Sequence, residues 1–150
     1  MSCTECVMGE RPFTVRRRVK WSDCDPAGVV YTVIFGEYVM STAELFYGFL
    51  FGTTPQRAKN EQGFGTPTGT LNMRFFRSLR PDEDVEIAVR VEEVRTRSYV
   101  LRFDATAQGE KAFEADLIPI CVAREERRAI ELPPALRAAL EQYQRQGAKT

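Results

Sequence analysis

The sequence predicts an α+β domain in which one long apolar helix is wrapped by a curved antiparallel sheet. Three observations carry this. Near the start, Phe13, Val15, Val19 and Trp21 alternate with polar residues. Next, Phe35, Tyr38, Val39, Thr42, Phe46 and Phe49 recur at helical spacing. Beyond residue 65, period-two stretches are separated by turn signals. One apolar helix and one amphipathic sheet bury their faces by packing on each other. At 150 residues the chain reads as a single domain, 1–150, large enough to enclose its own core. Residues 1–11 form an N-terminal extension, and 134–150 a C-terminal helix and tail.

In the first strand Thr14, Arg16, Arg18 and Lys20 form the polar face, while Arg17 interrupts the apolar one. Asp25–Pro26–Ala27–Gly28 is a tight turn: Asp suits its first position, Pro presets φ at the second, and Gly closes it. The helix runs from Thr32 to Phe51, with Glu37, Ser41 and Glu44 as its one narrow polar stripe. A helix this apolar is expected to be buried on most sides. The acidic turn feeds straight into it, so a carboxylate can sit beside the positive end of the helix.

Residues 52–65 form a polar connector with a short helical piece over 55–61. A strand follows over 66–76, then a turn at Arg80–Pro81–Asp82–Glu83. Val85, Ile87, Val89 and Val91 mark a second amphipathic strand, and Tyr99, Leu101, Phe103 and Ala105 a third, paired through a hairpin at 95–97. Gln108–Gly109–Glu110 turns into a last strand reaching about residue 123, where Pro119 predicts an edge position or a bulge. Pro133–Pro134 introduces a short helix with Leu136, Leu140 and Tyr143 on one face, and the chain after Gln144 reads as a frayed tail. The open edge of such a sheet is often protected by a second subunit.

Composition narrows the chemistry. Hydrophobic residues make up 43% and charged residues 28%, with formal net charge zero, which argues against broad electrostatic binding to nucleic acid or an anionic membrane. There is no histidine, so Ser-His-Asp, Cys-His and His-ligated metal chemistry are excluded. Acid–base work falls to carboxylates, Tyr, Lys, Cys or backbone groups. Cys3 and Cys6 form a CxxC pair that neither follows a strand nor opens a helix, and no second pair completes a zinc site. We read it as a terminal pair; the alternative, a redox or zinc protein, requires bound zinc or a titratable disulfide. No metal and no cofactor is expected. The absence of a signal-like or membrane-spanning apolar run makes a reduced, cytoplasmic protein the default.

Asp23–Cys24–Asp25–Pro26–Ala27–Gly28–Val29–Val30–Tyr31, between an alternating strand and a long helix, resembles the hot-dog-fold thioesterases, and most closely the 4-hydroxybenzoyl-CoA thioesterase family. Gly65–Thr66–Pro67 with Asn72, Arg97–Ser98–Tyr99 and the 128–133 stretch sit where that family carries similar pieces, so the resemblance spans about residues 13–133. It implies an acyl-CoA thioesterase hydrolysing a thioester, preferentially aromatic, to free acid and CoA. It also implies a homodimer joined sheet edge to sheet edge, assembled further into a homotetramer, with each site built from both chains. By that resemblance Asp25 is the nucleophile or the general base. The Thr32 backbone N–H, with Tyr31, polarises the carbonyl, and a helix start suits a developing oxyanion. Arg95, Arg97 and Arg128 fall near the CoA phosphates, together with Thr66 and Ser98. Arg127 is a further candidate, and a solvated basic face is the plain alternative.

Other residues read more simply. Asp23 caps local backbone N–H groups, and in an extended chain it points away from Asp25. Cys24, between two carboxylates, is a packed thiol rather than a nucleophile. Tyr31 and Phe35 either line the acyl pocket or fill the core. Glu44 is structural. Thr32–Val33 replaces the family's usual second aromatic, and Gly36–Glu37 also departs from its pattern, so the acyl pocket differs from one for 4-hydroxybenzoate. A hydratase of the same fold would need histidine. A non-catalytic acyl-CoA-binding hot-dog protein is the remaining alternative.

Overall fold

The computed structural model describes residues 3–148. Strands β1 (Glu5–Glu10) and β2 (Phe13–Arg18) lead into helix α1 (Thr32–Phe51) and then α2 (Pro55–Gln62). Strands β3 (Phe64–Gly65), β4 (Thr68–Phe75), β5 (Asp84–Val94), β6 (Tyr99–Ala107), β7 (Glu110–Pro119) and β8 (Val122–Ala123) follow, and α3 (Pro134–Ala148) closes the chain. Six strands form one antiparallel sheet in the order β1-β2-β5-β6-β7-β4, while β3 and β8 pair separately.

The alternation in β2, β5, β6 and β7 puts one apolar row on the face that meets α1. Phe13, Ile87, Phe103 and Phe113 from the sheet and Phe35, Tyr38 and Phe46 from the helix share one buried cluster. Phe13 meets Phe46 at 5.6 Å between ring centres, and Phe35 meets Phe113 edge-on at 5.3 Å. Each such side chain contributes about 1.5–3 kcal/mol through burial. Leu136, Leu140 and Tyr143 of α3 join the same core, with Tyr143 edge-on to Phe46 at 4.9 Å.

The fold matches the expected α+β architecture, with four local differences. The N-terminal extension contains β1, which pairs with β2 from Glu5↔Arg17 to Glu10↔Phe13. Its composition shows no clean alternation because neither of its faces is deeply buried, so it is a strand through its ladder rather than its pattern. The last expected strand is two: β7 ends at Pro119, which has no N–H for a further ladder bond, and β8 turns away to β3. Pro119 lies on an interior strand, and the register shift opposite it falls on β4, between Thr68 and Thr70. Helix α3 continues past Gln144 to Ala148, with the Gln144 amide donating to the Glu92 carbonyl at 3.1 Å. Finally, α1 is not buried on most sides: Val33 (67%) and Met40 (45%) are exposed beside Glu37 and Glu44. The sheet covers one face of the helix and α3 its C-terminal flank, which leaves this face of the single chain open.

Tyr143 has a second function beyond packing. Its hydroxyl accepts from the Phe13 N–H at 2.8 Å and donates to the Val89 carbonyl at 2.5 Å. Phe13 and Val89 are register partners, so the phenol bridges β2 and β5 where their ladder ends. Tyr143→Phe removes this bridge and leaves a buried N–H without an acceptor. We expect a loss of about 1–3 kcal/mol, read from the urea midpoint with an unchanged slope.

On the outer face Glu114 receives Lys111 at 2.6 Å and Arg102 at 2.7 Å, and Arg102 also reaches Asp116 at 3.1 Å. The Lys111 hydrogen bond, reinforced by Arg102, holds the Glu114 carboxyl below its ordinary 4.5. Its stabilisation is therefore full above about 4.5 and is lost as pH falls through the lower folded value. Wild type should exceed Glu114→Gln in stability at neutral pH, and denaturation midpoints taken at acid pH should show that margin shrinking.

Candidate active site

The turn between β2 and α1 is built by its own hydrogen bonds. The Asp25 N–H donates to the Val29 carbonyl and the Gly28 N–H to the Asp25 carbonyl, both at 2.9 Å. Asp25 Oδ1 accepts from the Ala27 N–H at 2.9 Å, the Asx arrangement that Asp favours at a turn. Gly28 has φ of 80°, which a side chain would oppose. Asp25 Oδ2 has no hydrogen-bond partner among the described residues.

The turn is anchored at both ends. The Val30 N–H donates to the Leu79 carbonyl at 2.9 Å, and the Tyr31 N–H to the Asp23 carbonyl at 3.0 Å. Tyr31 is the N-cap of α1 and makes no side-chain cap. The next amide, Thr32 N–H, has no acceptor among the described residues. A helix N-terminus without a capping side chain keeps its donors and its positive dipole end available.

Asp25 and Thr32 line one open cleft of about 430 Å³. Its remaining wall is mixed: Val29, Val30, Phe35, Phe75 and Phe76 are apolar, and Arg77 and Ser78 are polar. Phe35 does both things open to it: it is buried in the core, and it forms part of the cleft edge-on to Phe75 at 5.0 Å. Tyr31 is 53% exposed and lies outside the cleft wall, and its amide is already engaged by Asp23. The amide left open at the cleft is therefore that of Thr32 rather than Tyr31.

Asp23 is buried, and its Oδ2 accepts from the Lys20 N–H at 3.0 Å and the Tyr38 hydroxyl at 2.8 Å. It caps local backbone, as its position implies, and faces the core while Asp25 faces the cleft. Burial first, then Asp23 and Asp25, push the Cys24 thiol up, which disfavours the nucleophilic thiolate. Glu44 is exposed on α1, 12 residues beyond Thr32 and thus about 18 Å along the helix. It does not line the cleft. Cys3 and Cys6 are free thiols, one before β1 and one on it.

The basic residues are elsewhere in the chain. Ser98 bridges to Ile120, the Ile120 N–H donates to the Pro67 carbonyl, and the Cys121 N–H to the Arg97 carbonyl. The Ala123 N–H reaches the Arg128 carbonyl. These bonds gather Thr66, Arg97, Ser98 and Arg128 at one end of the sheet, beside Arg95 in the β5–β6 hairpin. The Asp25 turn is pinned by Leu79 and Glu83 to the other end of β5. The 11 residues of β5, at ~3.3 Å each, separate the two ends by roughly 33 Å. Within one chain the structure does not bring Arg95, Arg97, Ser98, Arg128 or Thr66 to Asp25. Arg95 and Arg128 are exposed and pair with Glu93 and Glu126.

Sequence reasoning did not single out Phe75 and Phe76 as cleft wall. The available signal was two adjacent aromatics at a strand end, where successive side chains take opposite faces and one must be left outside the core.

A carboxylate oxygen and a helix-start amide, both without partners among the described residues and both on one cleft, are the kind of parts a hydrolytic acyl-transfer site uses. The family comparison agrees: residues 19–140 match the model of the thioesterase-like superfamily, and the chain belongs to that family as a thioester hydrolase. The chain is 30% identical, over 132 residues, to the 4-hydroxybenzoyl-CoA thioesterase of Pseudomonas sp. (strain CBS-3), covering 82% of this chain and 93% of that one. The structure of that Pseudomonas enzyme superposes with a TM-score of 0.77 at 27% identity, over 84% of this chain and 96% of that chain. A structure of a 4-hydroxybenzoyl-CoA thioesterase variant carrying Asn for Asp, complexed with 4-hydroxybenzoyl-CoA, superposes at TM-score 0.77 and 26% identity, over 85% and 96%. Among the described residues no helix is long and apolar enough to cross a membrane.

The raised Cys24 thiol should react with iodoacetamide at pH 8 more slowly than a model cysteine. Cys121, buried and pushed up to about 11, should label only after unfolding. Peptide mass spectrometry over a time course reads both.

Proposed function

We propose that the protein hydrolyses an acyl-CoA, with an aromatic acyl group, to the free acid and CoA, using Asp25 and the Thr32 N–H as its catalytic pair. The observation that carries this is their meeting on one cleft, with Oδ2 of Asp25 and the Thr32 amide both unpartnered among the described residues. The substrate class draws on the 4-hydroxybenzoyl-CoA thioesterase relative, and the aromatic wall of Phe35, Phe75 and Phe76 suits an aryl group.

The thioester carbonyl oxygen lies toward Thr32 N–H, where the amide and the helix end offset the negative charge that develops on attack. Asp25 acts on the carbonyl carbon in one of two ways. As base it removes a proton from water, whose oxygen bonds to the carbon as the C–S bond breaks and the thiolate leaves. As nucleophile its oxygen bonds to the carbon, the C–S bond breaks and the CoA thiolate leaves, giving a mixed anhydride that water then opens to free acid and the restored Asp25 carboxylate.

The CoA end of the site requires a second subunit in this reading. Strand β4 is an edge strand, exposed along nearly its whole length, with Leu71 and Phe75 exposed on the same face as Met73. Its Phe75 end borders the Asp25 cleft, and its Thr68 end borders the cluster of Thr66, Arg97 and Ser98. Antiparallel pairing of β4 with its copy about a two-fold axis therefore brings the basic end of one chain to the Asp25 end of the other. Arginines at that end suit the phosphates of CoA. One homodimer holds two such composite sites, and its further pairing into a homotetramer follows the resemblance.

Thiol release from aryl-, arylacetyl- and aliphatic acyl-CoAs, by wild type and Asp25→Asn, tests the reading. We expect turnover of aromatic esters and a fall of roughly 10²–10⁴-fold in the variant, with the fold intact. Near-normal hydrolysis by Asp25→Asn defeats the catalytic assignment. Binding of CoA esters without any thiol release replaces it with a non-catalytic acyl-CoA-binding protein.

A further inference from the structure

Behind the Asp25 turn lies a buried polar cluster that the reaction itself does not use. Arg17 is the one charge on the inner face of β2, with its side chain 7% exposed. Its Nη2 lies 3.2 Å from Glu37 Oε2, its Nη1 3.3 Å from Glu5 Oε2, and its guanidinium stands 4.7 Å over the Tyr38 ring. Asp23 Oδ2 is 4.0 Å away and accepts the Tyr38 hydroxyl at 2.8 Å. Ser41 donates to Glu5 at 2.7 Å. The guanidinium is buried while its partners Glu37 and Glu5 reach solvent, so these pairs add little net stability: desolvating Arg17 offsets an attraction that water screens. What the cluster does supply is connection: it joins β1, β2, the 20–31 segment and α1 through directional bonds.

Asp23 is the hub. Its carboxylate is tied through Tyr38 to the second turn of α1 and through the Lys20 N–H to the end of β2. Its carbonyl takes the Tyr31 N–H, so the free donor at the helix start is Thr32. It also stands two residues before Asp25. One residue thus sets the offset between the carboxylate turn and the helix start.

We infer that Asp23, Tyr38 and Arg17 are positioning residues for the hydrolysis, holding the Asp25 carboxylate and the Thr32 N–H in register, with Glu5 of β1 completing the set. The inference rests on the catalytic reading of Asp25 given above. Burial, with the bond to Asp23, holds the Tyr38 phenol well above its ordinary range, so it is a permanent donor across working pH.

The test is Tyr38→Phe, which keeps the ring under Arg17 and removes only the hydroxyl. Misplacing reacting groups by a fraction of an ångström lowers the chemical step without touching ground-state binding, so kcat should fall about tenfold while KM stays within about twofold. In the same variant, hydrogen exchange at the Tyr31 amide should accelerate about tenfold while amides in the middle of α1 keep their protection. Tyr143→Phe, which loses a buried hydroxyl far from the turn, serves as the stability control and should leave kcat unchanged. Asp23→Asn retains an acceptor oxygen for Tyr38 and should keep more activity than Asp23→Ala; it also stands in if Tyr38→Phe does not fold. A Tyr38→Phe enzyme with wild-type kcat overturns the inference, and so does a kcat loss with unchanged Tyr31 exchange or a change confined to KM. If Asp25→Asn remains active, the catalytic assignment fails by itself, and Tyr31 exchange in Tyr38→Phe still decides whether Asp23 holds the turn.

Discussion

The structure depends on α1 having the inner face of one sheet as its main apolar cover. Phe35, Tyr38, Phe46 and their neighbours have no other place to be buried, so the helix settles across β2, β5, β6 and β7 and defines the core. That placement sets where the helix begins. Its first residue, Thr32, comes to rest beside the carboxylate turn because Val30 and Tyr31 are fastened to Leu79 and Asp23. The N-cap is Tyr31, a residue with no capping side chain, so the start of a 20-residue helix keeps an open donor at a cleft. A Ser or Asp at that position would stabilise the helix by accepting from the Val33 or Ile34 amide.

Two aspartates two residues apart have opposite environments, and the extended backbone between them explains it. Asp23 points inward to Tyr38 and the Lys20 amide; Asp25 points to the cleft with one oxygen held by Ala27 and the other open. The intervening Cys24 lies between two negative charges and is kept as a thiol. One short segment therefore provides an anchor, a protonated thiol and a carboxylate open to the cleft.

Polar groups recur where the sheet needs joining rather than filling. Tyr143 spans the end of the β2–β5 ladder, Arg17 links the N-terminal strand to the helix, and Glu114 gathers Lys111 and Arg102 on the outer face. The β4 edge is the contrary case: an eight-residue strand with one side of its ladder unpaired among the described residues and with Leu71 and Phe75 exposed. Such an edge is suited to a second chain. Asp25 and the arginine end of the sheet lie at opposite ends of β5 within one chain.

The sequence by itself determined the α+β class, the long helix with its bounds, three of the central strands and the acidic turn, because each is written in a local period or a short turn signature. It also placed Asp25 in a turn next to the helix start at Thr32, and the structure puts both on one cleft. Tertiary structure alone decided the rest. β1 is a strand only because β2 offers it a ladder, and Pro119 is interior because β4 folds back onto β7. Tyr31 lost its donor to the Asp23 carbonyl, a bond that arises when the turn closes on the helix. Arg17 reads along the chain as a flaw in an apolar face; its partners come from β1, the turn and α1, and no local pattern records contacts made across the fold.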